Sequence, residues 1–269
     1  MEMPEHLRAG IAEARKKNTA SPYENYEQYR CDNYNAGVGK LEGYDCPKCK
    51  NKGDIALLNA DNVQVVRECE CMKIRKSQLN LKKSGIAQQI ERLTFDNFEA
   101  TQEWQKTIKK AAERFTENVQ GWFYIGGQSG AGKTHLCTAI TGKLIAQGRE
   151  ARYMLWRDSV VQLKQVAMDG EYRELIGDFK NVQVLYIDDL FKTERGKSVT
   201  RADIAIAFEL INYRYMNERL ITIISSELTT NELIGIDEAT AGRIVELSKP
   251  NGCCFNLKQD RSKNYRLRD

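Results

Sequence analysis

The feature that most restricts this chain is Gly127-Gln128-Ser129-Gly130-Ala131-Gly132-Lys133-Thr134, a complete G-x-x-x-x-G-K-T pattern. Such a loop needs a buried strand before it and a helix after it, because that arrangement aims a run of backbone N–H groups at one anion beside a helix N-terminus. Both flanks are present. Trp122-Phe123-Tyr124-Ile125 is aromatic and β-branched, as a buried strand requires, and Leu136, Ile140 and Leu144 recur at four-residue spacing as one helix face. The glycines let the backbone close on phosphate oxygens, Lys133 reaches the terminal phosphates, and the Thr134 hydroxyl ligates Mg2+. The loop thus predicts an α/β fold in which residues Gly127 through His135 hold ATP or ADP.

With 269 residues the chain is long enough for one α/β domain and a smaller module. Its 41% hydrophobic and 29% charged residues are those of a soluble globular protein, and a net charge of +4 permits a nucleic-acid partner without requiring one. No apolar run approaches the roughly 20 residues needed to span a bilayer. Met1-Glu2-Met3-Pro4-Glu5-His6 lacks the basic-then-apolar order of a signal peptide. No membrane partner and a cytoplasmic location are therefore expected, where the eight cysteines serve as thiols or metal ligands in preference to disulfides.

Cys46-Pro47-Lys48-Cys49 and, after nineteen residues, Cys69-Glu70-Cys71 form two cysteine pairs. Between them Asp54–Leu58 and Val63–Val66 read as two strands of a hairpin, which brings the pairs together for a structural Zn2+. Reduced structural cysteines are the alternative. In front lie a polar arm with a helix expected over Glu5–Lys17 and a tyrosine-rich stretch through Tyr34. Behind lie five basic residues (Lys73, Arg75, Lys76, Lys82, Lys83), either a nucleic-acid contact or a solvated helix face. A boundary near residue 90 separates this region, 1–90, from an ATPase domain, 91–269, which opens on an amphipathic helix from about Gln102 to Asn118.

Past the phosphate loop, Arg152–Trp156 reads as a strand, Asp158 as the N-cap of a helix carrying Val161, Leu163 and Val166, and 169–181 as a polar link. The strand Val182–Ile187 ends in Asp188-Asp189. After a phosphate loop, the first carboxylate orients the Mg2+ shell and the second polarises the attacking water. A helix over Arg201–Met216 presents Ile204, Ala207, Phe208 and Ile211. The strand Leu220–Ser226 then ends in hydroxyls that either sense the terminal phosphate or form a serine turn. Thr229 and Glu232 make a capping box. A strand at 253–257 and a basic tail with Arg261, Lys263, Arg266 and Arg268 close the chain, with Cys137, Cys253 and Cys254 as core residues.

Residues 93–268 resemble the AAA+ ATPases of the DnaC, DnaI and IstB type, the bacterial and phage replicative helicase loaders and their transposition relatives. The residues that carry this are Phe95-Asp96-Asn97-Phe98, Gly132-Lys133-Thr134-His135-Leu136, Ile187-Asp188-Asp189-Leu190, Ile211-Asn212-Tyr213-Arg214-Tyr215, Gly242-Arg243-Ile244 and Asn264-Tyr265-Arg266-Leu267. The four-cysteine module resembles the zinc-containing N-terminal domain of the loader branch. The resemblance implies a P-loop AAA+ fold with a parallel five-stranded sheet, a reduced C-terminal lid and a zinc module in front. It implies catalytic roles for Lys133, for Asp189 on the hydrolytic water, for Ser226 (or the equally placed Ser225) as phosphate sensor, and for Arg243, inserted into a neighbour's site on self-association. It departs from the family at Glu227, where Ser-Asn is usual: a carboxylate facing the terminal phosphate would weaken hydrolysis.

The function so implied is an ATP-dependent loader that binds the replicative DNA helicase and places it on single-stranded DNA, with Arg157 and Lys164 as candidate backbone contacts. An IstB-like transposition ATPase and a non-hydrolysing nucleotide-bound replication adaptor are the alternatives. A small-molecule kinase is disfavoured, since no acceptor site is recognisable.

Overall fold

The computed structural model describes residues 26–83 and 86–267, apart from the side chains of Asn80, Lys82 and Lys83. The helix expected over Glu5–Lys17, and Arg268, lie outside these residues. The chain divides into two units, 1–72 and 73–269.

In the first unit, helix α1 (Tyr26–Ala36) precedes a hairpin of β1 (Asp54–Leu58) and β2 (Gln64–Glu68). The strands are antiparallel, with Asp54 opposite Glu68 and Leu58 opposite Gln64. A two-stranded sheet is marginal by itself, and α1 supplies polar clamps: the Asn35 side chain donates to the Ala56 carbonyl and accepts its N–H, both at 2.9 Å, and Glu27 accepts the Gln64 N–H at 3.0 Å.

Helix α2 (Cys71–Lys83) leads into the second unit. There α3 (Ala87–Arg92), α4 (Glu103–Glu117), β3 (Phe123–Gly127), α5 (Lys133–Ala146), β4 (Ala151–Leu155), α6 (Trp156–Gln165), α7 (Glu171–Asn181), β5 (Val184–Asp188), α8 (Arg201–Tyr215), β6 (Ile221–Ser226), α9 (Thr230–Ile236), α10 (Glu238–Ser248) and β7 (Cys254–Leu257) follow, then two single turns of 3-10 helix. The sheet runs β4-β5-β6-β3-β7, and every neighbouring pair is parallel. The expected five-stranded parallel sheet is therefore present.

Strand residues alternate between two cores, so both faces must be apolar and the strands read as unbroken hydrophobic runs. Phe123, Ile125, Tyr186 and Ile223 meet Leu136, Ile140 and Leu144 of α5 on one face. Tyr124, Leu185, Ile187 and Ile224 meet Leu163, Phe179, Leu210 and Ile244 on the other. At the outer edge of β4 the first N–H is capped by a side chain and so is not open for pairing with another chain. Buried Ser77 of α2 accepts the Ala151 N–H at 3.1 Å and donates to the Lys73 carbonyl at 2.9 Å.

Several local expectations change. Residues 171–181 are helix α7, buried only through Ile176 and Phe179, which is too sparse a pattern to read against a polar background. Trp156 belongs to α6, not to the strand; that helix starts directly from Leu155, so Asp158 lies in its first turn instead of capping it. Its core face is Trp156, Val160 and Leu163, with Val161 exposed. On α8 the buried face is Ile206, Ala207, Leu210, Ile211 and Arg214, and Phe208 is partly exposed. The Thr229–Glu232 capping box is present.

Arg214 is fully buried and forms no ion pair among the described residues. Its Nε donates to Thr222 Oγ1 at 2.9 Å, one terminal nitrogen to the carbonyls of Phe179, Lys180 and Val182 at 2.9–3.0 Å, and the other to that of Ile221 at 2.7 Å. One guanidinium thus ties the end of α7 to the starts of β5 and β6.

Candidate nucleotide site and cysteine cluster

Strand β3 delivers the phosphate loop at the C-terminal end of the sheet. Gly127, Gly130 and Gly132 all have positive φ, at 104°, 74° and 82°. The left-handed turns put the intervening N–H groups on the concave side, as an anion nest requires. At Gly127 a Cβ would lie 2.0 Å from the Leu257 carbonyl oxygen. Gly127→Ala is accordingly expected to destabilise the unit by about 1–3 kcal/mol and to abolish nucleotide binding. Thermal melting and titration with a fluorescent nucleotide check both; unchanged affinity would mean that the loop does not use this conformation.

Lys133 is buried, with Nζ donating to the carbonyls of Gly127 at 2.9 Å and Gln128 at 2.8 Å. Burial lowers its pKa, against the pull of Asp189 and Glu227. Thr134 Oγ1 donates to Asp188 Oδ1 at 3.2 Å, so the loop's hydroxyl and the first carboxylate of β5 touch directly. Asp188 also receives the Tyr153 hydroxyl on Oδ2 at 3.0 Å and the Ser225 hydroxyl on Oδ1. Three hydroxyls therefore orient one carboxylate whose remaining lone pairs suit a hard cation.

Asp189 occupies the left-handed region (φ 58°), as does Phe191 (φ 61°). Its N–H donates to Ser225 Oγ at 3.0 Å, and its carboxylate is held by Lys192 Nζ at 2.8 Å. The Ser226 hydroxyl points elsewhere, donating to the Leu190 carbonyl at 2.8 Å. His135 donates from Nε2 to the Thr94 carbonyl at 2.8 Å and stands edge-on to Phe98, 5.2 Å between ring centres.

These groups open into a cleft of about 450 Å³ lined by Ser129, Gly130, Gly132, Lys133 and Thr134, by Asp189, Lys192 and Glu227, and by Arg92, Asn97, Phe98, Tyr265 and Arg266. The tail is fastened to the loop: Tyr265 N–H donates to the Gly130 carbonyl at 2.9 Å and Asp260 N–H to Gln128 Oε1 at 2.7 Å. A larger hollow of about 640 Å³ lies at the other end of the sheet, near Trp122, Arg149 and Gln183, away from the phosphate loop and the carboxylate pair. Arg92, Lys192 and Arg266 are cleft cations that sequence reasoning missed. Arg266 carried a signal, its place in the motif Asn264-Tyr265-Arg266-Leu267, and Lys192 a weaker one, its place three residues after Asp189; Arg92 had none.

Arg243 stands apart from these residues on α10. Its Nε donates to Asn212 Oδ1 at 3.0 Å, a terminal nitrogen donates to the Ala239 carbonyl at 2.8 Å, and the guanidinium lies over the rings of Phe208 and Tyr215. Lys164 pairs with Asp203 at 2.5 Å and Arg157 with Asp158 at 3.7 Å.

In the first unit Cys46, Cys49, Cys69 and Cys71 are all buried, with their sulfurs within 4.8 Å of one another. Cys46 and Cys69 sulfurs are 3.8 Å apart and those of Cys49 and Cys71 3.5 Å. A tetrahedron with metal–sulfur bonds near 2.3 Å has edges of about 3.8 Å, so the donor set fits zinc. Gly53 N–H donates to the Cys49 sulfur at 3.4 Å, which supports a thiolate there. Burial raises both Cys49 and Cys69. For Cys49 the Gly53 amide and the neighbouring sulfurs more than reverse this and bring the thiol below its ordinary value, while Cys69 stays above it.

Residues 57–238 match the family model described as IstB-like ATP binding protein. The phage-like element PBSX protein XkdC of Bacillus subtilis (strain 168) is 32% identical over 225 residues, 76% of this chain and 79% of the relative. The replicative helicase loader DnaC of Buchnera aphidicola subsp. Acyrthosiphon pisum (strain APS) is 26% identical over 193 residues, 67% of this chain and 75% of the relative. Among solved structures, AMPPCP-bound DnaA from Aquifex aeolicus superimposes with a TM-score of 0.51 at 22% identity, covering 65% of this chain. The chain spans about half the length of that DnaA, 52%. No helix among the described residues is long and apolar enough to cross a membrane.

Proposed function

Because the chain belongs to the IstB-like ATP-binding protein family, we propose that it is an ATP-dependent loader that binds the replicative DNA helicase and delivers it onto single-stranded DNA. One observation carries this: a phosphate loop whose Thr134 meets Asp188, in a chain similar to proteins named replicative helicase loader. When bound, ATP and Mg2+ supply the scissile phosphoanhydride and the charge that draws electrons from it. Lys133 exchanges its two loop carbonyls for the terminal phosphates, and Thr134 and Asp188 hold the metal side. Asp189 orients the hydrolytic water. Ser225, whose hydroxyl touches Asp188 and the Asp189 amide, relays the phosphate state to the carboxylate pair, while the Ser226 hydroxyl is engaged by Leu190.

Arg243 enters a neighbouring copy's site when the protein self-associates through its ATP sites, exchanging its bonds to Asn212 and the Ala239 carbonyl for that contact. Residues 1–90, with zinc on Cys46, Cys49, Cys69 and Cys71, form the helicase-interaction region, and 91–269 the ATPase. Backbone contacts by Arg157 and Lys164 bind single-stranded DNA without base selection. The protein works in the cytoplasm. An IstB-like transposition ATPase is the second candidate, favoured by the description of the matching family.

The test is capture of the host's replicative helicase by the purified chain with ATP, with ADP, and with the Cys46→Ser variant. Nucleotide-dependent capture by the wild type that fails in the variant is the expected result. Absence of capture under every condition would end the loader assignment and favour a transposase partner.

A further inference from the structure

Glu227 is the family departure that should oppose a nucleotide, yet it lines the same cleft as the phosphate loop. The structure pairs it with a cation. Lys192 Nζ stands 3.1 Å from Glu227 Oε1 and 2.8 Å from Asp189 Oδ2, bridging both carboxylates. Its position follows from the turn after β5. Asp189 and Phe191 take left-handed φ values, Leu190 N–H donates to the Ser225 carbonyl at 2.9 Å, and Lys192 N–H donates to the Asp189 carbonyl at 2.9 Å. Leu190 and Phe191 are buried, Phe191 against Trp156 with ring centres 5.4 Å apart. The turn anchored in this way places Lys192 where its side chain reaches both carboxylates.

We propose that Lys192 is a positioning residue matched to Glu227: it neutralises the carboxylate that would otherwise repel the terminal phosphate, and it holds Asp189 in place. This rests on the nucleotide-site assignment above. Without Lys192, Asp189 and Glu227 face the triphosphate with Lys133 left to offset both, and like charges in a half-enclosed cleft repel strongly. Burial pushes the Glu227 carboxyl up, and Lys192, Lys133 and the Ser129 hydroxyl more than offset it, so the group is an anion whose charge must be met. The substitution of Glu for the usual Asn is then compensated within the same chain, and hydrolysis need not be impaired by it.

A double-mutant cycle on the full chain tests the match. The readout is equilibrium binding of Mg-AMPPCP and Mg-ADP, with thermal melting of the nucleotide-free protein as folding control. Lys192→Met is expected to weaken AMPPCP binding by about tenfold and ADP binding much less, since the lost charge lies toward the terminal phosphate. Glu227→Gln alone is expected to bind AMPPCP at least as well as the wild type. The combination Lys192→Met with Glu227→Gln should return to within about threefold of wild type. A double variant as weak as Lys192→Met would overturn the proposal, because Lys192 would then act on the nucleotide directly and not through Glu227. Lys192→Met binding like the wild type would overturn it as well. A wild-type chain that binds neither nucleotide would instead remove the site assignment itself, and the proposal with it.

Discussion

On the proposed zinc assignment, a strong chelator added to the full chain, or Cys49→Ser, is expected to unfold residues 26–72. The core of this unit is Cys46, Cys49, Ile55, Cys69 and Cys71, with Tyr44 and Met72 packed against it. Four of the five buried members are cysteines of the cluster, and outside this core Cys31 and Ala56 are the unit's other buried side chains among the described residues, so the cluster makes up most of the interior. One helix and one two-stranded hairpin bury too little apolar surface to offset the entropy of ordering such a segment. Structural zinc supplies roughly 10–16 kcal/mol in modules of this kind, which decides between folded and unfolded. Amide exchange reads the outcome site by site. The Ala56 N–H, held by Asn35, and the Gln64 N–H, held by Glu27, should lose their protection, while amides of β3 and β5 keep theirs. Retained protection at Ala56 after chelation would show that hairpin and helix stand without metal.

The second large effect is expected at Arg214. Replacing it with methionine keeps most of the volume and removes five hydrogen bonds, leaving the Thr222 hydroxyl and the carbonyls of Phe179, Lys180, Val182 and Ile221 to find other donors. Unmet buried acceptors cost about 1–3 kcal/mol each, and relaxation recovers part, so a loss of about 3–5 kcal/mol is expected. For a unit of this size that lowers the melting temperature by roughly 10 °C. Arg214→Lys should recover only a fraction, because an ammonium has three donors on one atom and cannot span acceptors arranged around a planar fork. Denaturant unfolding of the three proteins side by side measures it. A methionine variant within about 1 kcal/mol of wild type would mean that water takes over the guanidinium's bonds.

How much of this was legible beforehand differs by element, for physical reasons. Strands β3, β5 and β6 were readable because each is buried on both faces, and a two-sided strand must be apolar along its whole length. The loop Gly127–Thr134 and the pair Asp188-Asp189 were readable because phosphate and metal chemistry tolerate few residue types at fixed offsets. Helix α7 was hidden since it buries only two side chains, and polar bonds from Arg214 and to Glu209 hold the rest. The face of α8 was misjudged by one position because its buried row includes Arg214, which no apolar periodicity would select. Lys192 and Arg266 reach the cleft by turns whose geometry a linear pattern does not carry, and the Ser225–Ser226 choice depended on which hydroxyl a strand's pleat turns toward its neighbour.

The fastening of the tail to the phosphate loop has a kinetic consequence. Gln128 and Gly130 hydrogen-bond to Leu257, Asp260 and Tyr265, residues more than a hundred positions later in the chain. Contacts of such long range form late, after local helices and hairpins. The loop leaves the ribosome more than a hundred residues before these partners, so the glycine turns can be set against Leu257 only once β7 has been made. Competence for nucleotide is in this way tied to the joining of segments distant in the chain, and the local sequence of the loop is not enough to confer it.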